Sequence, residues 1–193
     1  MRCFFVLMVS SFFLSACALV SPIENKVSKI DRVLNTERIL AVDNWVIDGR
    51  IAVIQPKKSW HSHLDWRHSS GGDTWQFSSL LTGTLGELHY HDGMFVIVNE
   101  KGIPELKKET EIMQMVGFKP PFEGLKYWIR GVRDPFGKAE VMFDNKGFVQ
   151  SIRQQEWLVS LARYSLVNGI WLPTKISLQR GSLKIKLIVD EWT

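Results

Sequence analysis

The sequence predicts a mainly β domain with a helical insert, and three observations carry that reading. Apolar and polar residues alternate over successive short segments, turn-forming pairs separate them, and a proline-bounded stretch in the middle changes period. Alternation is clean in Trp60, Ser62, Leu64 and Trp66 against His61, His63, Asp65 and Arg67. One largely apolar face and one polar face describe a half-buried antiparallel strand.

From Lys26 to Val42 the apolar residues Val27, Ile30, Leu34 and Ala41 fall near helical spacing, which predicts a first helix. From Trp45 the period becomes two. Strands are predicted at Trp45–Gln55, Ser59–His68, Thr74–Thr82, Glu87–His91 and Met94–Asn99, the last two joined by Asp92-Gly93, a strong hairpin signal. Pro104–Phe118 reads as a helix through Leu106, Ile112, Met113, Met115 and Val116. Pro120-Pro121 breaks it, and Phe122–Arg130 reads as a second, short helix. Strands resume at Ala139–Asp144, Phe148–Gln154, Glu156–Val167, Thr174–Gln179 and Ser182–Glu191. So long an antiparallel meander must curl to hide its edges, giving a barrel or half-barrel.

The amino end sets the expected compartment. One charge at Arg2, an apolar run from Phe4 to Phe13 and the small residues Ser15-Ala16 make a signal peptide over residues 1–16. The run is short of the roughly 20 apolar residues a membrane-spanning helix needs. Leu14-Ser15-Ala16-Cys17 resembles the lipobox of bacterial lipoproteins, which makes Cys17 the expected lipid anchor. The bland alternative is an ordinary secreted protein whose signal contains cysteines. Cys3 would leave with the signal, so Cys17 stands alone and no disulfide is expected. Ala18, where an aspartate would resemble an inner-membrane retention signal, favours the outer membrane. Residues 17–25 then read as a lipidated tether and 26–193 as one domain. Removing Arg2 leaves 23 basic against 20 acidic residues, far short of a nucleic-acid signature.

Taken in order, several segments resemble the outer-membrane lipoprotein receptor family LolB. They are Trp45–Ile54, Trp66, Thr84-Leu85-Gly86, Leu125–Gly131, Leu172-Pro173 and the final Lys184–Trp192 strand, lying behind a lipobox. The resemblance implies an open, unclosed antiparallel β-barrel of LolA/LolB type, capped by an α-helical lid and holding acyl chains in an apolar cavity. It also implies partners: the periplasmic carrier LolA, acylated lipoprotein cargo and outer-membrane phospholipid, with no covalent chemistry; no cofactor is expected, and a monomer is the expected state, which the sequence does not itself establish. Leu85-Gly86 matches the leucine-glycine of a projecting loop held to help insert cargo lipid. On physics alone, Thr82–Gly86 is a glycine-flanked turn with one large apolar residue, whose burial gains about 1.5–3 kcal/mol. That suits a brief dip into lipid; the plain alternative is a side chain folded back on the core. Two departures stand out: Thr84 where the family often has proline, and Val132-Arg133 where leucine-proline is common.

For the cavity lining the candidates are Trp66, Phe77, Phe95, Ile97 and Phe143. For the lid they are Met113, Met115, Leu125 and Trp128, flexible thioethers being suited to varied apolar ligands. Core filling draws on the same faces, so each aromatic has that alternative. His61/His63 and His89/His91 each share a strand face and would bind a metal if the strands brought them together, but no metal site is expected. No Gly-x-Ser-x-Gly elbow or phosphate-cradling loop occurs, and no enzyme is expected. The rival reading is a structural or assembly lipoprotein with a solid barrel and protein partners.

Overall fold

The computed structural model describes residues 28–79, 83–99 and 101–193. The expected signal peptide, Cys17 and the whole of the tether lie outside the described residues. Helix α1 (Lys29–Leu40) comes first, capped by Ser28, whose hydroxyl accepts from the Asp31 amide while the Asp31 carboxylate accepts from the Ser28 amide. Five strands follow: β1 (Trp45–Ile54), β2 (Trp60–Ser69), β3 (Gly72–Ser79), β4 (Gly83–His91) and β5 (Met94–Val98). The short edge strand β6 (Pro104–Lys107) leads into α2 (Glu109–Val116) and α3 (Phe122–Trp128). Then come β7 (Glu140–Phe143), β8 (Val149–Gln154), β9 (Trp157–Val167), β10 (Ile170–Arg180) and β11 (Leu183–Trp192).

The strands form one unclosed antiparallel sheet in the order β6-β5-β4-β3-β2-β1-β11-β10-β9-β8-β7. Chain order is kept except at the centre, where β1 pairs with β11 and brings the two halves together. The inward positions follow the alternation read from the sequence. Trp45, Ile47 and Val53 of β1 are buried, as are Leu183, Ile185, Leu187 and Val189 of β11. Asp92 and Gly93 both have positive φ, the conformation a two-residue hairpin needs.

Pro104–Lys107 is a strand, not the first turn of a helix. The Asn99 side chain accepts from the amides of Lys101 and Ile103, folding the chain back so that Leu106 lies opposite Val96. A four-residue edge strand beginning with proline buries too little to show in periodicity. The helix therefore starts at Glu109, and Gly117, left-handed at φ 83°, stops it. Strand β10 also begins earlier than expected, running through Pro173.

Helix α1 is seated on β10 through Asn35, which exchanges two hydrogen bonds with the backbone of Trp171 as a strand neighbour would. Arg38 adds a bond to the Gly169 carbonyl. These contacts set α1 at the opposite end of the sheet from the turn that links β1 to β2.

Candidate functional site

Helices α2 and α3 lie over the concave face and close a cavity of about 290 Å³. Its wall is Ile51 and Val53 of β1, Trp60, Leu64 and Trp66 of β2, Trp75 and Phe77 of β3, Leu88 of β4, Leu178 of β10, and Ile185 and Leu187 of β11. Its roof is Ile112 and Val116 of α2, the linker residues Phe118, Pro120 and Pro121, then Phe122, Leu125 and Ile129. Every lining residue is apolar. Such a hollow offers nothing to a charged or hydrogen-bonding solute and favours hydrocarbon.

Polar atoms behind the wall hold it in place. The buried carboxylate of Asp73 accepts a 2.8 Å bond from the Trp66 indole and lies 2.8 Å from His68 Nδ1. This fixes the Trp66 ring without bringing a polar group into the cavity.

The roof is unevenly tied. Phe122 of α3 packs on Trp75, Tyr90 and Phe95 with ring centroids 5.5, 5.6 and 4.8 Å apart. Tyr90 donates a short bond to the Glu123 carboxylate. Partial burial and that neighbouring carboxylate push the Tyr90 phenol up to about 12. At the far end of α3 the Trp128 indole donates to Gln154 at 2.9 Å, and Gln154 in turn binds the 134–137 backbone. Gly124 is required here: a Cβ would stand 2.6 Å from the Trp128 ring folded back over it. Arg130, 5% exposed, donates from Nε to the Lys126 carbonyl and from Nη1 to the carbonyls of Ile39 and Val42. It thus joins the end of α3 to the end of α1; burial lowers its pKa from the usual guanidinium value. Helix α2 has far less. Ile112 is its one buried residue, Gln55 donates to the Val116 carbonyl at 3.0 Å, and Lys119 pairs with Glu109 on the surface.

The family model for the outer membrane lipoprotein LolB matches residues 43–192, all eleven strands and the helical insert. The chain belongs to the LolB family. An outer-membrane lipoprotein LolB of Pseudomonas fluorescens is 28% identical over 166 residues, covering 82% of this chain and 78% of the relative. One from Chromohalobacter salexigens is 26% identical over 161 residues, covering 81% and 73%. Among solved structures, the LolA superfamily protein NE2245 from Nitrosomonas europaea superposes with a TM-score of 0.51 at 6% identity, covering 83% of this chain and 90% of that one. This last likeness concerns fold alone, and it agrees with the open barrel.

The residues singled out in the sequence fall in different places on this LolB fold. Trp66, Phe77 and Leu125 line the cavity. Phe95 does not; it is buried behind the wall, against Tyr90 and Phe122. Ile97 of β5 is half-buried outside the cavity, opposite Leu88. Phe143 is 45% exposed on β7, beneath the Arg32 guanidinium at the far end of the sheet. Of the lid candidates, Trp128 is fully buried beside the roof, Met113 is half-buried away from it, and Met115 is 56% exposed. Met113 and Met115 are two residues apart on a helix, so they cannot share a face. Ile112 and Val116, four apart, are the pair that does. A helix begun at Glu109 rather than Pro104 would have singled them out.

Leu85 is not at the tip of a turn. It lies in β4, where Phe77 pairs with Gly86 and Ser78 with Thr84, leaving Leu85 as the extra residue of a β-bulge, 44% exposed. The bulge sits beside Phe77 of the cavity wall. Residues 80–82, between β3 and β4, lie outside the described residues. The histidine pairs do not meet: His63 faces Ser78, whereas His89 faces Thr74, which faces Arg67. His63 binds Asp48 at 2.9 Å and His89 binds Glu87 at 2.6 Å. Among the described residues no three His, Cys, Asp or Glu side chains are placed to hold a metal ion.

Proposed function

We propose that this LolB-family protein is an outer-membrane lipoprotein receptor, anchored through Cys17 and facing the periplasm, that takes acyl chains of other lipoproteins into the cavity beneath α2 and α3. The wholly apolar lining of that cavity carries the reading. Each methylene moved from water to such a wall gains about 0.8 kcal/mol, so a few turns of hydrocarbon supply the driving force. The cavity is small for a whole acyl chain, and the lightly tied α2 is the part that lifts to enlarge it. Transfer is by partition: the cavity holds acyl chains better than the carrier LolA and less well than the bilayer, so cargo moves without a bond being made or broken. A tenfold step in affinity at each stage needs only about 1.4 kcal/mol. The exposed Leu85 on its bulge dips into the inner leaflet as cargo leaves.

A solid barrel serving only as a protein-binding module is disfavoured by the hollow itself. Cys17→Ala full-length protein mixed with lipoprotein-loaded LolA tests the reading: it should strip the carrier, and added liposomes should then receive the cargo. Failure to take up lipoprotein sinks the receptor reading. Leu85→Glu should accept cargo and release it poorly; normal delivery would return Leu85 to a merely structural place.

A further inference from the structure

A second hollow lies at the other end of the sheet, between α1 and strands β7 to β10. It is a groove of about 400 Å³, larger than the cavity and within the range of small-molecule sites. Its floor is apolar, with Val132, Val141, Phe148 and Val149 among the residues that line it. Its rim carries four cations, Lys29, Arg32, Arg130 and Arg133, against one acid, Glu37. Among the described residues none of these four cations forms an ion pair. Arg32 lies over the Phe143 ring at 4.6 Å, and Arg130 binds only backbone carbonyls through Nε and Nη1. Arg130 is nonetheless among the residues that line the groove.

Among the described residues these four cations outnumber the one acid of the rim and form no ion pair, Asp73 and Asp43 acting on Arg130 only at longer range, and the apolar floor favours hydrocarbon. We infer that this groove binds an anionic phospholipid, its phosphate among Arg32, Arg130 and Arg133 and part of one acyl chain along the floor. Position agrees. Helix α1 forms one wall, and the chain from Cys17 to Ser28 reaches at most about 40 Å, keeping the groove within reach of the headgroups around the anchor. Basic residues close to an anionic leaflet are drawn to it. The inference uses the family's membrane address, not the uptake of cargo by the cavity, and the two fail separately.

The test is an amide NMR titration of the full chain carrying Cys17→Ala with soluble dihexanoyl phosphatidylglycerol, dihexanoyl phosphatidylcholine and inorganic phosphate. Phosphatidylglycerol should shift Gly131, Phe148 and Trp171 and bind at least about tenfold more tightly than phosphatidylcholine. Arg32→Gln with Arg133→Gln, the first half-buried and the second exposed, should bring the two lipids within about twofold while cargo uptake from LolA is kept. Equal affinity for both lipids in the parent, or shifts confined to cavity residues such as Leu64 and Trp75, overturns the inference. Phosphate producing the same shifts at the same affinity overturns it too, reducing the groove to a simple anion site.

Discussion

The two hollows of this barrel, one beneath α2 and α3 and one beside α1, differ in almost every physical respect. The cavity beneath α2 and α3 is lined only by apolar side chains, whereas the groove beside α1 carries four cations around an apolar floor. Adjacent residues divide them: Ile129 lines the cavity and Arg130 the groove. The difference teaches how one sheet separates two kinds of recognition. A purely apolar hollow selects by shape and hydration alone and accepts any chain that fits. A cation-rimmed hollow selects by charge and weakens with salt.

Changes at particular residues should separate the two hollows. Trp66→Ala removes a buried indole from the cavity wall and deprives Asp73 of a hydrogen bond, at a cost of about 3–5 kcal/mol in urea denaturation. Cargo uptake should fall with it, and anionic-lipid binding by the groove should persist if the two hollows are independent. Arg130→Met should act on both. The carbonyls of Ile39, Val42 and Lys126 lose their donor, at a cost of about 2–3 kcal/mol, and phosphatidylglycerol loses a cation; an unchanged melting curve would show that the α1–α3 tie is not structural. Gly124→Ala forces the Trp128 ring away from α3 and should cost about 1–3 kcal/mol, with near-ultraviolet circular dichroism reporting the displaced indole.

The smallest effect is one of pH. The fold holds the Tyr90 phenol up to about 12, against 10.0 when free, so the neutral hydroxyl is the form that the fold favours. Its contribution is fully present below pH 10 and is lost as pH rises from 10.0 to about 12. Hydrogen exchange in α3 should quicken over that window, groove amides should not follow, and Tyr90→Phe should abolish the dependence.

Much of the barrel was legible in the chain because β structure writes its faces locally. Trp60 to Arg67 alternate as β2 does, Asp92-Gly93 closes the hairpin it signals, and Leu183 to Val189 point inward at every second residue. The elements that failed to read were those held by distant contacts. Pro104–Lys107 is a strand because β5 pairs with it, and Leu85 leaves the turn for a bulge because the register of β3 against β4 slips at Phe77 and Ser78. Phe95 and Phe143 have the same apolar character as Phe77, yet one lies behind the wall and the other at the far end of the sheet.

By itself the sequence determined the succession of strands and the membership of the LolB family, since each is carried by neighbouring residues and their order. Only the tertiary structure decided which inward side chains border empty space and which are packed, for a cavity is a property of what the facing helices leave unfilled. It alone placed Ile112 and Val116 over Leu64 and Trp75 and gathered Lys29, Arg32, Arg130 and Arg133, distant along the chain, around one groove.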